Sequence, residues 1–147
     1  GRELAGVVEA LGIWGQKWVG SASSLKNLDP SLLMWDMRRN LDVSPMPTSR
    51  QTIQFIYPEA ARPHRTWWLI VAPRAEVELC SVDPGYEVDL CVFSDLKTMT
   101  SIWMGLETIS RAVRDRRMRI RGNEKLAATM QAWLGLSPFA KERKRAA

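Results

Sequence analysis

Apolar positions along the chain alternate between two periods, and the switches mark its elements. Residues 2–19 carry Leu4, Val7, Val8, Leu11, Trp14 and Trp18 at helical spacing, with tryptophan at the C-terminal end of the stripe. Gly12 and Gly15 each cost an isolated helix about 1 kcal/mol against Ala, so this stripe needs a packing partner. Residues 20–28 are small and polar and read as a linker. Asp29-Pro30 supplies a cap and a first-turn proline for a helix through Leu32, Leu33, Trp35 and Met37 to about Asn40. Ser44-Pro45-Met46-Pro47 ends that region.

Period two takes over in four runs. Gln51–Pro58 puts Ile53, Phe55 and Tyr57 on one face. Arg65–Ala72 is apolar on both faces, as a central strand requires. Ala75–Val82 sets Val77 and Leu79 against Glu76, Glu78 and Cys80, and Tyr86–Phe93 sets Val88, Leu90 and Val92 against Glu87, Asp89 and Cys91. The intervening Asp83-Pro84-Gly85, taken alone, signals a hairpin. From Ser94 the spacing is helical again, through Leu96, Met99, Ile102 and Trp103 to Gly105. A second helix spans Glu107–Asp115 with Ile109, Ala112 and Val113. Arg117–Arg121 returns to period two, with Met118 and Ile120 inward. Asn123 then caps one final helix with Leu126, Met130, Trp133 and Leu134, stopped by Gly135. The tail from 137 to 147 is charged and expected to fray.

Composition adds limits. A chain of 147 residues suits one domain with a real core, and 46% hydrophobic with 25% charged residues is ordinary for a globular protein. No run approaches the ~20 apolar residues of a membrane-spanning helix, and the N-terminus lacks the order of a signal peptide. The chain begins at Gly1 with a helical pattern already running, which reads as a fragment of a longer protein. Cys80 and Cys91 fall in strands, and reduced thiols in a cytoplasmic setting are expected. The net charge of +5 is compatible with anionic partners and decides nothing alone.

The stretch Ser94-Asp95-Leu96-Lys97-Thr98-Met99 … Trp103-Met104-Gly105 … Met118-Arg119-Ile120-Arg121-Gly122-Asn123 resembles, in order and spacing, the C-terminal half of the sterol carrier protein domain. With the preceding strands the similarity runs from Gln51 to Leu134. It implies an α/β (α+β) fold: a mixed, largely antiparallel five-stranded sheet covered by helices. It also replaces the hairpin after the third strand with a crossover, the fourth strand pairing with the first and fifth. Glu87 and Asp89 would then lie beside Arg117, Arg119 and Arg121, each opposite pair contributing roughly 0.2–1 kcal/mol. The crossover would also hold Cys80 and Cys91 apart.

Gly1-Arg2-Glu3-Leu4 … Val7-Val8-Glu9-Ala10-Leu11-Gly12-Ile13-Trp14-Gly15 looks like the last helix of an HxlR-type winged helix regulator. That resemblance implies the C-terminal sterol-carrier-like domain of a bacterial transcription regulator. The expected organisation is a helix at 1–19, a linker at 20–28, the sterol-carrier-like domain at 29–136 and the tail at 137–147. Leu4, Val8, Leu11, Trp14 and Trp18 would serve dimerisation. The 147 residues hold no recognition helix or wing, so DNA contact is expected only through a winged helix outside them.

Candidate chemistry is sparse. Arg111, Arg114, Arg116, Arg117, Arg119 and Arg121 read either as an anion-binding patch or as a solvated face paired to the acidic strand face; strand alternation favours the second. Glu76, Glu78, Glu87 and Asp89 read as a sheet's polar face, not as a metal or acid/base site. His64, the one histidine, sits in a turn without zinc-ligand spacing around it. No cofactor and no enzymatic activity are expected. Tryptophan and methionine, seven of each, stand out. They fit a filled core, or an apolar pocket with Phe55, Trp67, Leu69 and Leu79 as floor and Met34, Trp35, Met99, Trp103, Met130 and Trp133 as walls. The resemblance tips the expectation to a pocket for a hydrophobic small molecule or lipid. A filled-core dimerisation or interaction module and a lipid-transfer domain are the alternatives.

Overall fold

The structure is a computed structural model and describes residues 28–138 and 140. The stripe of Leu4, Val8, Leu11, Trp14 and Trp18 therefore lies outside the described residues, as does the expected linker up to residue 27.

The first element forms where its cap predicts. Asp29 accepts from the Ser31 amide at 2.9 Å, Pro30 opens the first turn, and α1 runs Pro30–Asn40. Five strands follow: β1 Gln51–Ile56, β2 Thr66–Val71, β3 Glu78–Cys80, β4 Leu90–Ser94 and β5 Met118–Gly122. They form one sheet in the order β3-β2-β1-β4-β5, antiparallel throughout except where β1 runs parallel to β4. The crossover is therefore present and the hairpin is not.

Two strands are shorter than alternation predicts. Before β3, Val77 gives its carbonyl to Arg38 Nε at 2.7 Å, not to the ladder. Before β4, the Asp89 carboxylate accepts from the Thr52 amide at 2.8 Å, so strand pairing starts only at Leu90.

The register also corrects the expected charge pairing. Opposite β5, Cys91 faces Arg121 and Phe93 faces Arg119, so neither Glu87 nor Asp89 lies beside the arginine row. Arg117 instead binds Glu107 and Asp115. Sequence alternation had fixed the faces of the two strands but not which residues stand opposite.

Helices cover one face. Asp95 caps α2 (Leu96–Trp103) by accepting from the Thr98 amide at 2.7 Å, and Gly105 at φ 75° ends that turn of chain. Thr108 caps α3 (Ile109–Arg114), a shorter helix than the pattern suggested, and its Val113 is exposed. The final helix is two: α4 (Glu124–Ala128) and α5 (Met130–Leu134). Thr129 divides them, its hydroxyl donating to the Lys125 carbonyl at 2.7 Å, a back-bond that bends helices.

Inward residues of β1, β2, β4 and β5 and the apolar faces of all five helices form one cluster. Gly122 matters to this closure. At φ 126° a Cβ there would stand 2.3 Å from the Asp89 carbonyl oxygen, so only glycine lets β5 pass the start of β4. Across the outer face, Cys80, Trp68, Gln54 and Cys91 stand in one row. The two thiols are three strand spacings apart, about 14 Å, too far for a disulfide. Both are free.

Candidate ligand site between sheet and helices

The expected pocket residues arrive together, with one exception. Phe55 on β1 and Trp67 and Leu69 on β2 point to the helices; Met34, Met99, Trp103, Met130 and Trp133 point back from α1, α2 and α5. Leu79 packs at the margin, partly buried. Trp35 turns away: it is 45% exposed, with the Arg38 guanidinium 5.2 Å over its ring. Helical periodicity is the reason, since Met34 and Met37 already occupy the inward stripe of α1.

In this conformation the space is filled. A side chain lining a water-sized void keeps accessible surface, and Met34, Phe55, Leu69, Met99, Met130 and Trp133 keep none. What fills it is unusual. Met37, Met46 and Met118 join Met34, Met99 and Met130, so six buried methionines share the core. Unbranched thioethers repack at lower cost than Ile or Val, whose χ1 is stiff.

Several polar groups at this boundary are tethered by hydrogen bonds. Tyr57 Oη donates to Met34 Sδ at 3.0 Å, and its complete burial pushes the phenol pKa far above its usual value. The Trp133 indole donates to the Leu126 carbonyl at 2.9 Å and joins α5 to α4. The Trp67 indole donates to the His64 carbonyl at 2.8 Å, and the His64 ring stacks on Trp67, so the histidine is structural. The Trp103 indole donates to Asp36 Oδ2 at 2.6 Å, bridging α2 and α1. Ile109 N donates to Gln131 Oε1 at 2.9 Å. Sequence reading put Met37 on the helical stripe but not in the pocket, and it missed Asp36 and Gln131. The i, i+3 spacing of Met34 and Met37 would have given Met37; no local signal links Asp36 to Trp103.

Open clefts lie elsewhere. One of about 820 Å3 runs along β5, lined by Phe93, Val113, Arg116, Arg119 and Arg121 among others. A second, of about 430 Å3, lies between Leu28, Pro30, Ala60, His64 and Leu96. Among the described residues, no group of three or more His, Cys, Asp or Glu is placed to hold a metal ion. No helix among them is long and apolar enough to cross a membrane.

No protein-family model and no curated protein sequence matches the chain. Solved structures do. The sec-alkylsulfatase Pisa1 from Pseudomonas sp. aligns with a TM-score of 0.56 at 16% identity, over 76% of this chain and only 17% of that one. The UbiJ-SCP2 ubiquinone synthesis protein aligns at 0.52 and 13% identity, over 71% of this chain and 88% of that one. SCP2L2 from Aedes aegypti, described as palmitated, aligns at 0.52 and 16% identity, over 75% and 98%. At such identities the likeness establishes the fold. The chain has the architecture of an SCP2 sterol carrier protein domain, and it spans a small part of the sulfatase's length.

Proposed function

We propose that this domain takes up one hydrophobic molecule, a lipid or small apolar compound, between its sheet and its helical layer, without catalysing a reaction on it. The observation that carries the reading is the composition of the boundary between the layers. Met34, Met37, Met99 and Met130 from the helices meet Phe55, Trp67 and Leu69 of the sheet. The side chains a ligand would displace are those that repack most readily. A structure of the same fold described as palmitated supports the choice of ligand class.

The domain serves as the sensing or effector part of a bacterial HxlR-type transcription regulator. This rests on the resemblance carried by residues 1–15, with Leu4, Val8, Leu11, Trp14 and Trp18 forming a homodimer contact. Trp35, on the exposed side of α1, is removed from the ligand-facing set. Ligand uptake shifts helix or dimer geometry, and with it the spacing of DNA-binding heads outside this chain. The reading places the protein in the cytoplasm.

Titration with palmitate, a sterol or a hydrophobic dye tests the proposal. Tryptophan fluorescence should change, and free ligand at about 100 times its dissociation constant should add roughly 2.7 kcal/mol of stability. If neither signal moves with any of the three, the domain is the alternative: an interaction module with a permanently filled core. The complete burial of six pocket residues is the observation that favours that alternative.

A further inference from the structure

The arginine row of β5 is free of the acidic strand face, and its strand is an edge. Among the described residues, β5 pairs only with β4. Asn123 N donates to the Asp89 carbonyl at 2.8 Å, which sets the phase of the ladder. Residues in step with Asn123, namely Arg121 opposite Cys91 and Arg119 opposite Phe93, turn their backbone groups toward β4. Ile120, between them, turns its N–H and C=O outward.

Side chains add a sign to this open edge. Arg119 and Arg121 are exposed and share a small cleft of about 180 Å3 with Cys91 and Phe93, so both lie on the outer face. Arg119 lies 4.8 Å over the Phe93 ring. Arg116 and Val113 extend the same basic, apolar-floored surface. Arg117 is committed to Glu107 and Asp115, whereas among the described residues no carboxylate engages Arg116, Arg119 or Arg121.

We propose that the β5 edge docks an extended acidic segment of a partner protein, which adds a sixth strand against Ile120 and lays alternate carboxylates over Arg119 and Arg121. A strand edge supplies main-chain affinity, and side chains at alternate positions supply selectivity. A second copy of β5 would set arginine against arginine, which disfavours self-pairing. Single-stranded nucleic acid would need an uncovered aromatic platform, and Phe93 is capped by Arg119.

The test is fluorescence anisotropy of the full chain with a labelled octapeptide alternating Glu and Val. The comparison peptides are its Lys-Val counterpart and two isomers N-methylated on alternate amides. The Glu-Val peptide should bind and the Lys-Val peptide should not. One N-methyl isomer should lose about tenfold, as should the Arg119→Glu/Arg121→Glu variant, while Arg39→Glu on α1 should change little. Both N-methyl isomers binding like the parent would overturn the proposal, because charge alone would then explain binding. So would absence of Glu-Val binding, or tighter binding of a DNA duplex or anionic vesicles with the same arginine dependence. An unchanged melting temperature in the double variant verifies its fold.

Discussion

The indole of Trp103 donates to the carboxylate of Asp36 across 67 residues of sequence, at 2.6 Å, and this bond joins the two longest described helices over the sheet. Trp103 is one of the side chains that wall the proposed ligand space. Asp36→Ala would leave a partly buried N–H without its acceptor, at a cost of about 1–3 kcal/mol in urea unfolding. Asp36→Asn keeps an acceptor and should recover most of that loss. In stopped-flow fluorescence, the Ala variant should take up palmitate faster than the native chain.

The two tryptophans that helical spacing offered as pocket walls should separate sharply. Trp103→Ala removes a buried ring and should cost about 3–5 kcal/mol. Trp35→Ala removes an exposed one and should stay within about 0.5 kcal/mol and leave ligand titration unchanged. Equal effects of the two on ligand affinity would place the ligand outside the sheet–helix layer.

Met99→Leu keeps volume while stiffening the core. Its stability should change by less than about 1.5 kcal/mol, and its ligand affinity should fall. If affinity and stability both hold, methionine adaptability is not what admits the ligand.

Acid sensitivity has a local source at Glu107. The hydrogen bond from Arg117, chiefly, holds its carboxyl below the ordinary value of 4.5. The folded state therefore binds fewer protons than the unfolded state between the two values, and stability rises with pH through that window. The contribution is complete above the unfolded value and lost as pH falls through the folded one. Glu107→Gln should flatten the stability–pH curve there, measured by thermal melts from pH 5 to about pH 3.

Gly122→Ala should destabilise by about 1 kcal/mol or more, since φ 126° and the nearby Asp89 carbonyl both exclude a side chain. Gly85→Ala, at φ 82° with open space around it, is the control for backbone strain without the clash.

Caps and periods made much of the fold legible. Asp29-Pro30, Asp95 and Asn123 each open a helix where the sequence places a start. The break at Thr129 was hidden because Leu126, Met130 and Trp133 keep helical spacing across it. The crossover contradicts the local turn chemistry of Asp83-Pro84-Gly85 and was available only through resemblance to a known fold. Pairing across strands was the least legible level. Residues 87 and 89 carry acidic groups in phase with the arginines, but the register is set by Asp89 binding Thr52, a long-range contact that no local pattern encodes. For the candidate site, the inward positions followed from periodicity, whereas Trp35 competed with Met34 and Met37 for one helical stripe and lost.

The parallel ladder between β1 and β4 divides the chain into two contiguous halves. Residues 30–80 supply α1 and the meander β1-β2-β3; residues 90–134 supply β4, β5 and the other helices. Among the described residues, one seam runs through both sheet and helical layer: the β1–β4 ladder below, and above it Asp36 with Trp103 and Asp42 N with the Trp133 carbonyl. A guest lodged beneath Trp103 would sit astride that seam. Occupancy would then be felt as a change in how firmly the halves are clasped, and cleavage in the exposed Ser81–Glu87 connection should yield two fragments that stay together or part according to what the molecule holds.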